Sequence, residues 1–93
     1  MIRTQIDLGP LLPFTRVLAA RLATISGHFH CSLTLEQSNL TVNLKSMLGM
    51  LSQTMRPSTD ITLVANGTDE KEATEAILAV IKKHHNSGFA ETP

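Results

Sequence analysis

Four short runs in this chain alternate apolar and polar residues, and that period of two constrains the fold more than any other feature. In Ile2–Leu8, residues Ile2, Thr4, Ile6 and Leu8 share one face, while Arg3, Gln5 and Asp7 share the other. Cys31, Leu33 and Leu35 alternate with Ser32, Thr34 and Glu36. Leu40, Val42 and Leu44 alternate with Thr41 and Asn43, and Ile61, Leu63 and Ala65 alternate with Thr62 and Val64. Successive strand residues point to opposite faces of a sheet, so each run predicts a half-buried strand. Gln37-Ser38-Asn39, between the second and third runs, predicts the turn of an antiparallel hairpin. One apolar and one polar face is the signature of a sheet covered on one side only, which excludes a doubly covered parallel sheet.

Three other segments have helical spacing. Pro13 cannot lie in a helix interior, so the first helix starts after it, with Thr15 as N-cap. Leu18, Leu22, Ile25 and Phe29 then recur at spacing three and four, and Gly27 is the stop signal. Ser46 predicts the N-cap of a short helix whose apolar residues are Met47, Leu48, Met50 and Leu51. Asp69 predicts the N-cap of the last helix, with Glu72 at capping-box spacing and Ala73, Ala76, Ile77, Val80 and Ile81 as its buried stripe. Glu70 and Glu72 suit the positive start of that helix, and Lys82, Lys83, His84 and His85 suit a negative end closed by Asn86-Ser87-Gly88. Gly9-Pro10 and Arg56-Pro57-Ser58-Thr59 predict loops, and Asn66-Gly67 closes the fourth strand. The order β-α-β-β-α-β-α predicts an α+β open-faced sandwich with the helices on one face of the sheet.

The chain has 93 residues, enough for one domain. We assign residues 1–88 to that domain and 89–93 to a flexible tail. Eight Lys and Arg balance eight Asp and Glu, which argues against a nucleic-acid partner. Aromatic residues are Phe14, Phe29 and Phe89 alone, so no stacking platform for bases is present. The single Cys31 excludes an intrachain disulfide. The longest apolar stretch, Val17 to Ala23, is interrupted by Arg21 and is far short of the ~20 residues of a membrane span. A cytoplasmic domain is therefore expected. His28, His30 and Cys31 are metal-ligand types, but no second cluster accompanies them at a standard spacing, so neither a metal nor a cofactor is predicted.

The run Val42-Asn43-Leu44-Lys45-Ser46-Met47-Leu48-Gly49-Met50-Leu51-Ser52 resembles the regulatory-serine segment of HPr, the phosphocarrier of the bacterial sugar phosphotransferase system. Ala65-Asn66-Gly67-Thr68-Asp69-Glu70-Lys71-Glu72-Ala73 is similar to that family's last strand-to-helix junction. The resemblance covers nearly the whole chain and implies a four-stranded antiparallel sheet in the order 1-4-2-3 with three helices on one face. The departures fall at the first helix. HPr carries Gly-Leu-His-Ala-Arg-Pro-Ala there, against Pro13-Phe14-Thr15-Arg16-Val17-Leu18-Ala19 in this chain. The family's phosphoacceptor histidine falls at Thr15, its arginine at Val17 beside Arg16, and its proline at Leu18. Thr54 and Ser58 stand where the family usually has glycines.

Phosphocarrier chemistry needs a nitrogen nucleophile of near-neutral pKa, because a phosphoimidazole keeps a high transfer potential. A threonine hydroxyl has neither property, so no catalytic or phosphorelay residue is assigned to this chain. The resemblance implies a regulatory protein, not an enzyme, phosphorylated at Ser46. Its partners would be a serine kinase and a LacI-type catabolite-control repressor, as for the histidine-lacking relatives of Gram-positive bacteria. Met47, Leu48 and Leu51 form the expected partner-binding patch, with Arg16 and Lys45 as flanking cations. Two alternatives stay open: a working phosphocarrier, and an HPr-fold binding domain that is not phosphorylated. The first strand is expected at a sheet edge, compatible with a monomer or a weak homodimer.

Overall fold

The computed structural model describes residues 1–8, 12, 14–52 and 60–90, the side chains of 85–90 excepted. The expected breaks at Gly9-Pro10 and Pro13, the loop Arg56–Thr59, the replacements Thr54 and Ser58, and residues 91–93 of the tail lie outside the described residues. The elements in chain order are β1 (Ile2–Ile6), α1 (Arg16–Ser26), β2 (Ser32–Gln37), β3 (Leu40–Asn43), α2 (Met47–Ser52), β4 (Ile61–Asn66) and α3 (Glu70–Ala90). All strand pairs are antiparallel, in the order β1-β4-β2-β3. This is the order implied by the resemblance, and β1 lies at one edge as expected.

The register shows how alternation becomes two faces. Thr4, Leu63, Leu35 and Val42 form one row across the sheet on the inner side. Leu33, Leu35, Val42, Ile61, Leu63 and Ala65 are all essentially inaccessible. They pack with Leu18, Ala19 and Leu22 of α1, Met50 of α2, and Ala73 and Ile77 of α3 in one core cluster. The second row, Arg3, Val64, Thr34 and Asn43, lies on the outer side. Here Val64 departs from the expected polar face, being buried. It lies on the central strand between Arg3 and Thr34, and Arg3 reaches diagonally across β4 to Glu36 at 2.6 Å. The Arg3–Glu36 ion pair thus spans β4 on the outer side of the sheet, the side on which Val64 lies.

The turns follow local chemistry. Ser38 and Asn39 alone separate the paired residues Gln37 and Leu40, and Ser38 takes a left-handed φ of 54°. At the end of α1, the Gly27 N–H donates to the Ala23 carbonyl at 3.0 Å. His28 and Phe29 then donate to the Ile25 and Ser26 carbonyls, tightening the last turn. Gly67 has φ +155°, and a Cβ there would lie 2.5 Å from the Cys31 Cα, so only glycine fits where β4 leaves the sheet.

Two expectations for the last helix are corrected. The stop at Asn86-Ser87-Gly88 is overridden, because α3 continues to Ala90. A glycine weakens a helix by about 1 kcal/mol without blocking it, and no proline intervenes before Pro93. His84 and His85 therefore do not sit in the last turn. Arg21 NH1 lies 3.3 Å from His84 Nδ1, linking α1 to α3. The capping box between Asp69 and Glu72 is also replaced. The Asp69 carbonyl accepts from Ala73 N–H at 2.9 Å, as an N-cap should. Its carboxylate turns instead to the start of β2, while Glu70 Oε1 accepts from the Gly67 N–H at 3.1 Å and Glu72 is exposed.

Candidate modification and docking site

Thr15 stands at the mouth of α1 with extended backbone, φ −86° and ψ 162°. Its hydroxyl oxygen accepts from the Leu18 N–H at 3.2 Å and its carbonyl accepts from the Ala19 N–H at 2.9 Å. The side chain is therefore a helix cap, and it is exposed. Arg16 is exposed beside it, and Val17, one residue further on, is 56% exposed.

The histidines lie elsewhere. His28 and His30 are exposed and follow the C-cap of α1, an eleven-residue helix, so about 16 Å of helix separates them from its N-terminus. Cys31, next to them, is buried. Burial, with help from the Asp69 carboxylate, pushes its thiol pKa up, so it is no thiolate at neutral pH. Among the described residues, no group of three His, Cys, Asp or Glu is placed to hold a metal ion.

Sequence reasoning missed the clamp that shapes this corner. Asp69 Oδ2 accepts from the His30 N–H at 2.8 Å and Oδ1 from the Cys31 N–H at 2.9 Å. The His30 amide, with that of Cys31, holds the carboxyl below the usual aspartate value. A carboxylate one residue before a helix reads as a cap in sequence, and only the tertiary approach of β2 redirects it.

Ser46 is half-buried and caps α2. Its Oγ accepts from the Gly49 N–H at 2.9 Å and its carbonyl from the Met50 N–H at 3.1 Å. Asn43, also missed, builds the approach: its Oδ1 accepts from the Lys45 N–H at 2.9 Å and its carbonyl from the Ser46 N–H at 3.1 Å. An Asn two residues before the residue it caps is the available signal for such a turn. The Lys45 ammonium donates to the Phe29 carbonyl at 2.7 Å, which ties this turn to the loop after α1.

α2 has six residues and cannot bury them all. Met50 points into the core, Met47 packs half-buried at its margin, Leu48 is 77% exposed and Leu51 42% exposed. Val17, Leu48 and Leu51 are thus large exposed apolar side chains on α1 and α2, which pack together. A shallow groove of about 520 Å³ between α1 and α3, lined by Ala20, Arg21, Thr24, Ile25, Val80 and Lys83, includes none of the predicted site residues.

Residues 16–83 match the family model of the phosphotransferase-system HPr component phosphorylation site, a span that includes Ser46. The HPr-like protein Crh of Halalkalibacterium halodurans is 35% identical over 83 residues, 89% of this chain and 99% of that one. Crh of Bacillus subtilis is 34% identical over 65 residues, 70% of this chain and 76% of that one. The crystal structure of Bacillus subtilis Crh, a catabolite-repression protein seen as a domain-swapped dimer, superposes with a TM-score of 0.68. There the identity is 28%, covering 89% of this chain and 88% of that one. The histidine-containing phosphocarrier of a mycoplasma superposes with a TM-score of 0.70 at 25% identity, covering 87% and 85%. A helix-capped, four-stranded 1-4-2-3 sheet, a serine-capped second helix and these matches lead to one conclusion: the chain belongs to the HPr family of the bacterial phosphotransferase system, with the catabolite-repression protein Crh among its relatives.

Proposed function

We propose that this protein is a regulatory member of the HPr family that has lost phosphorelay and is controlled by phosphorylation of Ser46. The observation that carries the reading is Thr15. The residue at the mouth of α1 is a hydroxyl engaged with the Leu18 amide, and the imidazoles of His28 and His30 lie at the other end of the helix. A hydroxyl without a base is a poor nucleophile, and its phosphate ester has no transfer potential to hand onward.

Ser46 supports the second half of the reading. It sits at the start of α2, where a phosphate would add about −1.5 to −2 charges next to Lys45. The Lys45 ammonium donates to the Phe29 carbonyl, and an ammonium has three donors, so it can also meet a phosphate. Leu48, Leu51 and the margin of Met47 supply an adaptable apolar surface beside that charge, with Arg16 further along α1. The partners on this reading are a serine kinase and a LacI-type catabolite-control repressor, both in the cytoplasm. The family's proteins act as phosphocarriers and adaptors, and this chain is an adaptor.

A paired labelling assay tests the proposal. ATP with the family's serine kinase should give an acid-stable phosphate that vanishes in Ser46→Ala. Phosphoenolpyruvate with the first phosphotransferase enzyme should give no acid-labile label. An acid-labile label would restore the phosphocarrier reading. A second reading, a binding domain that is not phosphorylated, is favoured by the Ser46 hydroxyl being half-buried and occupied as a cap. It predicts no label under either condition.

A further inference from the structure

Gly49 sits within hydrogen-bonding reach of Ser46, and its N–H donates to the serine Oγ at 2.9 Å. A Cβ at position 49 would lie 3.1 Å from that oxygen and 3.3 Å from the Ser46 Cβ. Both contacts are closer than ordinary van der Waals packing, so a Cβ at 49 requires the Ser46 side chain to shift by a few tenths of an ångström. Nothing else in the local structure calls for glycine. Among the described glycines only Gly67 has positive φ. Gly49 lies inside a helix of six residues, where glycine is a poor helix former. What its missing side chain changes is the room beside Ser46: the capping hydrogen bond is shorter here, 2.9 Å, than the 3.2 Å of the equivalent Thr15–Leu18 cap.

We propose that Gly49 is a positioning residue for the modification of Ser46: its missing side chain keeps one flank of the hydroxyl open to the incoming phosphoryl group, while its N–H fixes the direction of the oxygen. The inference rests on the serine-phosphorylation reading above. In the transfer, Ser46 Oγ attacks the γ-phosphorus of ATP. The Oγ–P bond forms as the bond from that phosphorus to the β,γ-bridging oxygen breaks. ADP leaves with the electron pair, and the hydroxyl proton passes to a base of the kinase. Three equatorial oxygens then spread around the phosphorus next to Oγ, where a Cβ at 49 would crowd them.

The test compares wild type, Gly49→Ala and Gly49→Val with ATP and the family's serine kinase, measuring kcat and KM for labelling of Ser46 alongside the urea unfolding midpoint. A displacement of a few tenths of an ångström should lower kcat for Gly49→Ala about tenfold, with KM unchanged, and Gly49→Val should fall further. The unfolding midpoint of Gly49→Ala should be no lower than that of wild type. Equal kcat in wild type and Gly49→Ala overturns the inference and leaves the serine reading standing. So does a loss confined to KM, or one that follows a lowered unfolding midpoint. A wild-type chain that takes no label overturns the serine reading and this inference with it.

Discussion

At the scale of single residues, the decisive groups are small polar ones whose roles depend on a neighbour. Thr15 and Ser46 are both helix caps, and the difference between them is chemical surroundings: one opens α1 beside the exposed Arg16, the other opens α2 beside Lys45. Asp69 shows how a neighbour changes a role. Its carboxylate ties the His30 and Cys31 amides to the start of α3, and these bonds hold its pKa below the usual aspartate value. Because the folded pKa lies below the unfolded one, the unfolded chain binds more protons in acid, and stability rises with pH. The stabilisation is fully present above the unfolded carboxylate pKa of about 4 and is lost as pH falls through the folded value. Urea midpoints measured from about pH 6 down to about pH 2 should therefore fall more steeply for wild type than for Asp69→Asn, the two curves converging in acid. Parallel curves would show that the clamp contributes nothing to the acid limb.

At the scale of elements, α2 is the informative one, because six residues serve both the core and the surface. Met50 is 1% exposed and packs under the helix, whereas Leu48 is 77% exposed on its outer side. Met50→Ala should cost about 2–5 kcal/mol, the range for emptying a buried long side chain. Leu48→Asp should change stability by no more than about 0.5 kcal/mol, as for an exposed site. On the proposed function, Leu48→Asp should nevertheless abolish capture by the phosphorylation-dependent partner. Urea denaturation and a binding assay on the same two variants check both halves, and a large stability loss in Leu48→Asp would remove α2 as a docking surface. β4 teaches a related lesson. Its inward residues alternate as expected, yet Val64 on the other side is buried too, on the face that the Arg3–Glu36 ion pair of the flanking strands bridges.

At the scale of the whole molecule, one sheet with helices on one side makes stability uneven. β4 and β2 are the central strands, paired on both edges, while β1 and β3 are paired on one. Native-state hydrogen exchange should therefore find the slowest amides in β4 and β2, faster ones in β1 and β3, and the fastest in the short helix α2. Uniform protection across the four strands would contradict this gradient. On the proposed function, fast exchange in α2 would suit a segment that presents a serine to a kinase and then a surface to a partner.

Local pattern by itself determined the seven elements and their order, the antiparallel hairpin, the caps at Thr15 and Ser46, and the inward residues of strands and helices, though not the buried Leu12, Phe14 and Val64. Each of these depends on neighbours within a few positions, where the periods of strand and helix and the chemistry of a cap act directly. The resemblance at Ser46 added the strand order, which periodicity cannot supply because it says which face a residue takes and not which strand lies beside it. Tertiary structure alone decided the rest. Asp69 gave its carboxylate to β2 because that strand starts next to α3. Val64 was buried on the outer side of the sheet despite its place on the expected polar face, and Lys45 reached across to Phe29. α3 ran on past Gly88, where a glycine only weakens a helix. These outcomes turn on which distant groups approach within hydrogen-bonding or packing distance, and that is a property of the folded chain.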